Sequence, residues 1–294
     1  MTKFSIDEIR EALRRKMVVM ELSGNQAAKQ IGVSPATVSN MLLSIYEEYK
    51  SAKISDTMWR KVAAWAGYGL TWRSVDLPGY KRVMDICRHA QNKGISKAIA
   101  DEPGSGKTWA LTTYASCNVN CYFIACKEHW TVKNFIEKLM QAIGMQVFPG
   151  TITEKVDAVV DFLNSKQSPL LIVDEADKLR DRALIIVKTL YDEARTGIVL
   201  AGTPYFEIRI LRGCRSNKMG YKEIFSRVGG EFYHLGAIGT DEVFQICLAN
   251  DIHEEKVIRA IAREARGDLR RVKSAIELYE LQKEKITKQE EDTA

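Results

Sequence analysis

The sequence predicts an α/β fold built on a mainly parallel sheet, with all-helical segments before and after it. Three observations carry this expectation. Between about Val83 and Phe232, short apolar runs alternate with helical patterns, as repeated strand–helix units do. One run leads into a glycine-rich turn, Pro103-Gly104-Ser105-Gly106, that opens directly onto a helical pattern. Another, Leu170-Leu171-Ile172-Val173, is apolar without interruption and ends in Asp174-Glu175, as a strand buried on both faces would.

Residues 1–70 read as all helical. Within them Asn25–Ile31 forms a short helical pattern, Gly32-Val33-Ser34 a tight turn, and Pro35 the first turn of a second helix that continues over Ala36–Tyr49. Helix, glycine turn and helix in this order make a helix-turn-helix pattern, with Thr37, Ser39 and Asn40 early in the second helix, where DNA-binding versions meet bases and phosphates. Basic residues barely outnumber acidic ones here, so the pattern carries the reading and the charge does not; the plainer reading is a small helical interaction module.

Residues 71–82, with Pro78 and Gly79, read as a linker. The α/β unit spans 83–236, with strands expected at Ala98–Ala100, Cys121–Ala125, Leu170–Val173 and Gly197–Ala201. Residues 237–294 are helical again and end in a charged stretch from Lys283, expected to fray.

The 294 residues are 46% hydrophobic, enough for a core, and no apolar run approaches the length of a membrane span. The N-terminus lacks the apolar stretch of a signal peptide, so a cytoplasmic protein with no membrane partner is expected. Cys117, Cys121 and Cys126 lie close together, but no second pair or histidine set completes a tetrahedral metal site, and they read as thiols in a reducing compartment. A net charge of +5 permits nucleic-acid binding without requiring it.

The turn Pro103-Gly104-Ser105-Gly106-Lys107-Thr108 follows a strand and, with Trp109, opens a helix, the setting of a phosphate-binding P-loop. Glycines let backbone N–H groups turn inward around phosphates, and the helix N-terminus adds positive potential there. Lys107 is expected to reach the β- and γ-phosphates of ATP, and the Thr108 hydroxyl to ligate Mg²⁺. The position where such loops usually begin with glycine is Asp101. Asp174 is expected to hold the Mg²⁺ through water, and Glu175 to orient the attacking water. Thr203, at the end of the fourth strand run, is placed to sense the γ-phosphate; the plainer reading is a loop threonine.

Asp174-Glu175-Ala176-Asp177, the Gly202-Thr203 strand end, Phe225-Ser226-Arg227 and Gly267-Asp268-Leu269-Arg270 follow the P-loop in that order. This order resembles the AAA+ ATPases, and with the helical region in front of it the whole chain resembles those AAA+ ATPases that select target DNA for a transposase. The resemblance implies an AAA+ core with a small C-terminal helical lid, ATP and Mg²⁺ as cofactors, and a chain at work in the cytoplasm of a bacterial cell, encoded by the bacterium or a phage. It implies that Arg227 is the arginine finger reaching a neighbouring subunit's ATP, and that Arg270, with Arg271 adjacent, is the lid arginine on the γ-phosphate. A finger acting between subunits implies head-to-tail self-association, and the family's helical filaments on double-stranded DNA are carried over on the same footing. Thr203 stands where the family often has asparagine.

Binding DNA without sequence preference needs clustered basic side chains that displace counterions. Two sets qualify. One is Arg209, Arg212, Arg215 and Lys218 in a segment with Gly213 and Gly220 that reads as a flexible loop; the other is Lys127 and Lys133 with Lys178, Arg180 and Arg182 after the acidic pair. The plainer reading of each is a solvated charged face. The expected function is ATP-dependent, non-specific DNA binding that delivers target DNA to a transposase or activates it. The alternatives are a helicase loader and a nucleotide-gated helix-turn-helix transcription regulator.

Overall fold

The computed structural model describes residues 6–20, 22–42, 54–66 and 75–291. The chain divides into two compact units, parting after Ser74. Among the described residues no helix is long and apolar enough to cross a membrane.

The first unit holds α1 (Ile6–Val19), α2 (Gly24–Ile31), α3 (Pro35–Leu42) and α4 (Asp56–Ala66). Ser23 opens α2 with a capping box: its side chain accepts from the Gln26 N–H, and the Gln26 side chain accepts from the Ser23 N–H. Gly32 ends the helix in the left-handed conformation, φ 72°, and returns its N–H to the Ala28 carbonyl. The Ser34 side chain then accepts the Thr37 N–H at 3.1 Å, starting α3 with Pro35 in its first turn. Ile9, Leu13, Ala28, Val38, Met41 and Val62 are fully buried together in a small core. The expected continuation of the second helix to Tyr49, and residues 71–74 of the expected linker, lie outside the described residues.

The second unit begins with α5 (Pro78–Lys93). The stretch read as a linker to residue 82 is therefore helical from Pro78. Proline fits the first helical position because its missing N–H has no intrahelical partner to lose. Then follow β1 (Ser96–Ala100), α6 (Lys107–Cys117), β2 (Cys121–Ala125), α7 (Val132–Ala142), α8 (Ile152–Asn164), β3 (Leu170–Asp174), a 3₁₀ turn (Ala176–Lys178), α9 (Asp181–Glu193), β4 (Gly197–Gly202), α10 (Pro204–Arg215) and α11 (Tyr221–Arg227). The four expected strands are all present, and the chain ends in α12 (Thr240–Ala249), α13 (Glu255–Ala265) and α14 (Leu269–Glu291). The charged stretch expected to fray from Lys283 is helical to Glu291.

The strands pair in parallel in the order β1-β4-β3-β2. Alternate residues serve opposite faces. Leu171, Val173, Ile198 and Leu200 join α7 to α11 in the larger core, whereas Leu170, Ile172, Val199 and Ala201 pack with α5 and α6. Along the outer edge of β1, the Ala100 N–H donates to the Tyr233 carbonyl and the Tyr233 N–H to the Ala98 carbonyl. The chain thus returns to the sheet immediately before it enters α12.

The segment around Gly213 and Gly220, expected as a flexible loop, is two helices with a turn over 216–220. Gly213 does not break α10. It gives room for the Tyr221 ring, which would collide with any β-carbon there. The left-handed φ values are confined to Asn217 and Gly220.

Candidate nucleotide site

In an open parallel sheet, ligands bind beyond the C-terminal strand ends. Here β1 runs into the loop 101–106, β3 ends in Asp174-Glu175, and β4, lying between them, ends in Gly202-Thr203. The sheet order therefore gathers all three expected segments at one edge.

The loop has the geometry that phosphates need. Gly104 and Gly106 adopt φ of 87° and 89°, values strained for any residue with a β-carbon. Gly106 is also the N-cap of α6 and offers no side chain to its first N–H groups, leaving the helix end available to an anion. Lys107 is buried, and its ammonium donates to the carbonyls of Asp101 at 2.7 Å and Glu102 at 2.9 Å and to Ser105 Oγ at 3.1 Å. Burial lowers its pKa, while Asp101 and Asp174 oppose the shift. Pro103 and Trp109 are exposed beside it.

Thr108 Oγ1 donates to Asp174 Oδ2 at 2.7 Å, and the other oxygen of Asp174 accepts the Glu175 N–H at 2.8 Å. Burial pushes the Asp174 carboxyl above the usual range, against the pull of those hydrogen bonds. An exposed hydroxyl paired with a buried carboxylate beside this glycine loop fits a divalent cation as hard, all-oxygen donors do. Glu175 has a left-handed backbone, φ 53°, which turns its half-exposed side chain out of the strand direction. Lys178 Nζ sits 2.8 Å from its carboxylate and draws its own raised pKa chiefly from that hydrogen bond.

Thr203 is half-buried and starts α10 without a side-chain cap; its N–H donates to Asp177 Oδ1 at 3.2 Å. Gly202 makes that approach possible, since a β-carbon there would press on Asp177 and Phe206. The C-terminal helices reach the same loop. The Leu269 N–H donates to the Gly104 carbonyl at 2.9 Å, and the Asp268 carboxylate abuts Gly104 so closely that a β-carbon would collide with it. Arg270 is exposed and paired with Asp268 at 3.2 Å; Arg271 is exposed too.

Arg227 lies away from this cluster at the end of α11. It is bound to Asp192 at 2.6 Å and stands over the Tyr191 ring. Of the basic residues, Lys127, Lys133, Arg180, Arg182, Arg212 and Arg215 are exposed. Arg209 is committed to the fold: it donates to the carbonyls of Asp177 and Leu179, to Tyr221 Oη and to Asp181. Lys218 is paired with the same Asp181, 2.5 Å away. In the first unit Thr37 is half-buried with its hydroxyl 2.8 Å from Ser34 Oγ, Asn40 is half-buried, and Ser39 is exposed. Asp181 and Tyr221 did not stand out in the sequence, and Asp177 and Asp268 entered only as members of longer motifs with no role of their own. Only the cap position of Asp268 before Leu269 carried a local signal, whereas the others depend on contacts between distant segments.

Fold and site together fit an α/β P-loop core of the AAA+ kind, and residues 89–210 match the AAA domain family. The chain is, further, similar to the transposition B proteins of Mu-like phages. It is 27% identical to ATP-dependent target DNA activator B of Escherichia phage D108 and 26% identical to that of Escherichia phage Mu, in each case over 76% of this chain and 72% of the relative. It is 22% identical to the Mu-like prophage FluMu DNA transposition protein B of Haemophilus influenzae, over 74% and 76% of the two chains. Among solved structures it is similar to Drosophila ORC bound to DNA, with TM-score 0.44 and 16% identity over 76% of this chain and 61% of that chain.

Proposed function

We propose that this chain binds ATP with Mg²⁺, assembles head to tail on double-stranded DNA without sequence preference, and delivers that DNA to a transposase or activates the transposase on it. The observation that carries the reading is the convergence of Lys107, Thr108, Asp174, Glu175 and Thr203 on one edge of the sheet. The names of the Mu-like relatives supply the DNA and transposition setting. Bound MgATP supplies a phosphoanhydride whose cleavage by water releases free energy. The chain's residues do the rest. Lys107 leaves its carbonyl partners for the phosphates, Thr108 and Asp174 hold the cation, and Glu175 orients water and accepts its proton. Thr203 reads the terminal phosphate from its place on β4, and Arg270 approaches it from the lid. Arg227, at the end of α11 beside Asp192, supplies its guanidinium to a neighbour's site.

Head-to-tail contacts that do not close generate filaments. The exposed Lys127, Lys133, Arg180, Arg182, Arg212 and Arg215 are the phosphate contacts offered for DNA, and the first unit, as a helix-turn-helix module, adds Thr37, Ser39 and Asn40. The phage and bacterial sources of the same relatives support work in a bacterial cytoplasm.

Electron microscopy on long duplex DNA tests the proposal. Filaments that form with ATP and vanish in Lys107→Ala support it. ATP-dependent filaments of normal affinity in Lys107→Ala refute the nucleotide site, and wild-type protein that stays monomeric with ATP and duplex together refutes the assembly.

A further inference from the structure

Asp101 occupies the position where P-loops usually begin with glycine, and its surroundings show why an acid is suited to it. Its φ lies outside the left-handed region that the later Gly104 and Gly106 occupy, so the backbone there does not need glycine. The side chain is buried, with both carboxylate oxygens taken up by backbone N–H groups. Oδ1 accepts the Glu102 N–H at 2.7 Å; Oδ2 accepts the N–H groups of Leu235 at 2.5 Å and Gly236 at 3.2 Å. The same residue donates its own N–H to the Gly202 carbonyl and gives its carbonyl to the Lys107 ammonium. Leu235 and Gly236 belong to the strap that leaves the sheet edge at Tyr233 and leads into the lid; His234 Nδ1, 2.6 Å from the Ala100 carbonyl, ties the strap down one residue earlier. The lid comes back to the P-loop at Leu269 and Gly104.

We infer that Asp101 is a positioning residue that latches the lid strap to the start of the P-loop, setting where the lid arginine meets the terminal phosphate. The inference rests on the nucleotide reading above and deepens it. A carboxylate accepting backbone N–H groups makes charge-assisted bonds about twice as strong as neutral ones. Losing them frees the strap; the accompanying loss of the Asp101 charge near Lys107 acts the other way, toward tighter nucleotide binding. An acid that merely sat near the phosphates would act in the opposite sense, by repulsion, so the two accounts differ in sign.

The test uses the full chain and a fluorescent N-methylanthraniloyl derivative of ATP or of ADP, with Mg²⁺. Asp101→Gly restores the usual residue; it is expected to weaken the ATP derivative about tenfold and the ADP derivative about twofold or less, because groups coupled through one contact show their interaction in the ligand that makes it. Asp101→Asn, which keeps an uncharged acceptor, is expected to lose about threefold for ATP. In an Arg270→Ala background, Asp101→Gly is expected to add little, since the contact it positions is already gone. Tighter or unchanged ATP binding in Asp101→Gly overturns the inference, as does full additivity with Arg270→Ala. If Asp101→Gly fails to fold, a wild-type ATP-to-ADP ratio in Asp101→Asn overturns it instead. Wild-type protein that binds neither derivative overturns the nucleotide site itself, a separate outcome.

Discussion

The Thr108 hydroxyl meets the Asp174 carboxylate at 2.7 Å, joining two residues 66 apart in the chain and closing the gap between the P-loop helix and the central strand β3. Asp174 is buried and its carboxyl is pushed above the usual range by that burial. The charged form is therefore a burden on the folded protein. The favourable contribution of the protonated form is complete below the unfolded pKa of about 3.9 and is lost as pH rises through the raised folded value. At pH 8, Asp174→Asn is expected to keep or raise the melting temperature while weakening the Mg²⁺-dependent part of ATP binding by about 10–100-fold. Calorimetry and Mg²⁺ titration of ATP binding together check the opposed signs.

Glu175 and Lys178 form an ion pair on the surface of the 3₁₀ turn, with side chains about half and one-third exposed. Such a pair adds little stability, so Glu175→Gln is expected to melt within about 1 °C of wild type, a shift equivalent to a few tenths of a kcal/mol. ATP hydrolysis is expected to fall about 10²–10⁴-fold with ATP binding retained. ATP-bound filaments of this variant are expected to persist under the microscope; rapid disassembly would remove Glu175 from the catalytic role.

Arg209, Tyr221 and Lys218 all converge on Asp181, whose carboxyl is held well below the usual range chiefly by Lys218; burial opposes this, and Tyr221 and Arg209 add to the lowering. The stabilisation from Asp181 is full above its unfolded pKa of about 3.9 and disappears as pH falls through the lowered folded value. Asp181→Asn is expected to flatten the acid limb of the stability profile, read as melting temperature between about pH 2 and pH 6. Because Arg209 is committed to this network, Arg209→Ala is expected to lower the melting temperature yet leave the salt dependence of DNA binding unchanged. Arg212→Ala and Arg215→Ala, both at exposed positions, are each expected to reduce that slope by about 1. A reduced slope in Arg209→Ala at wild-type stability would return it to the DNA surface.

Arg227 is exposed and paired with Asp192 outside its own chain's nucleotide cluster. Arg227→Ala is expected to lower DNA-stimulated hydrolysis by about 10³-fold or more. Mixing it with Lys107→Ala, itself inactive, is expected to restore part of the rate, because the second subunit lends its Arg227 to the first subunit's intact ATP site. Two variants that stay inactive together while co-assembling on DNA would rule out a finger shared between subunits.

Whatever rests on local chemistry is legible in the amino-acid sequence alone. Strand runs, the glycine turn that must bend a backbone around an anion, and carboxylates at the end of an apolar run are each properties of a few consecutive residues. The matching strands and the positive φ of Gly104 and Gly106 agree with that reading. Gly213 and Pro78 misled for the converse reason: as local signals they mean a loop or linker, yet one makes room for a distant tyrosine ring and the other starts a helix. Which cations are spent inside the protein, as Arg209 is, and which remain for a partner depends on residues brought together from far along the chain. So does the purpose of Asp101, whose partners at Leu235 and Gly236 lie about 134 residues away. Hydrogen bonds within a few residues follow from backbone preferences that each segment carries alone. Those between segments exist only once the packing of the sheet and its two helical layers has set which side chains share a space.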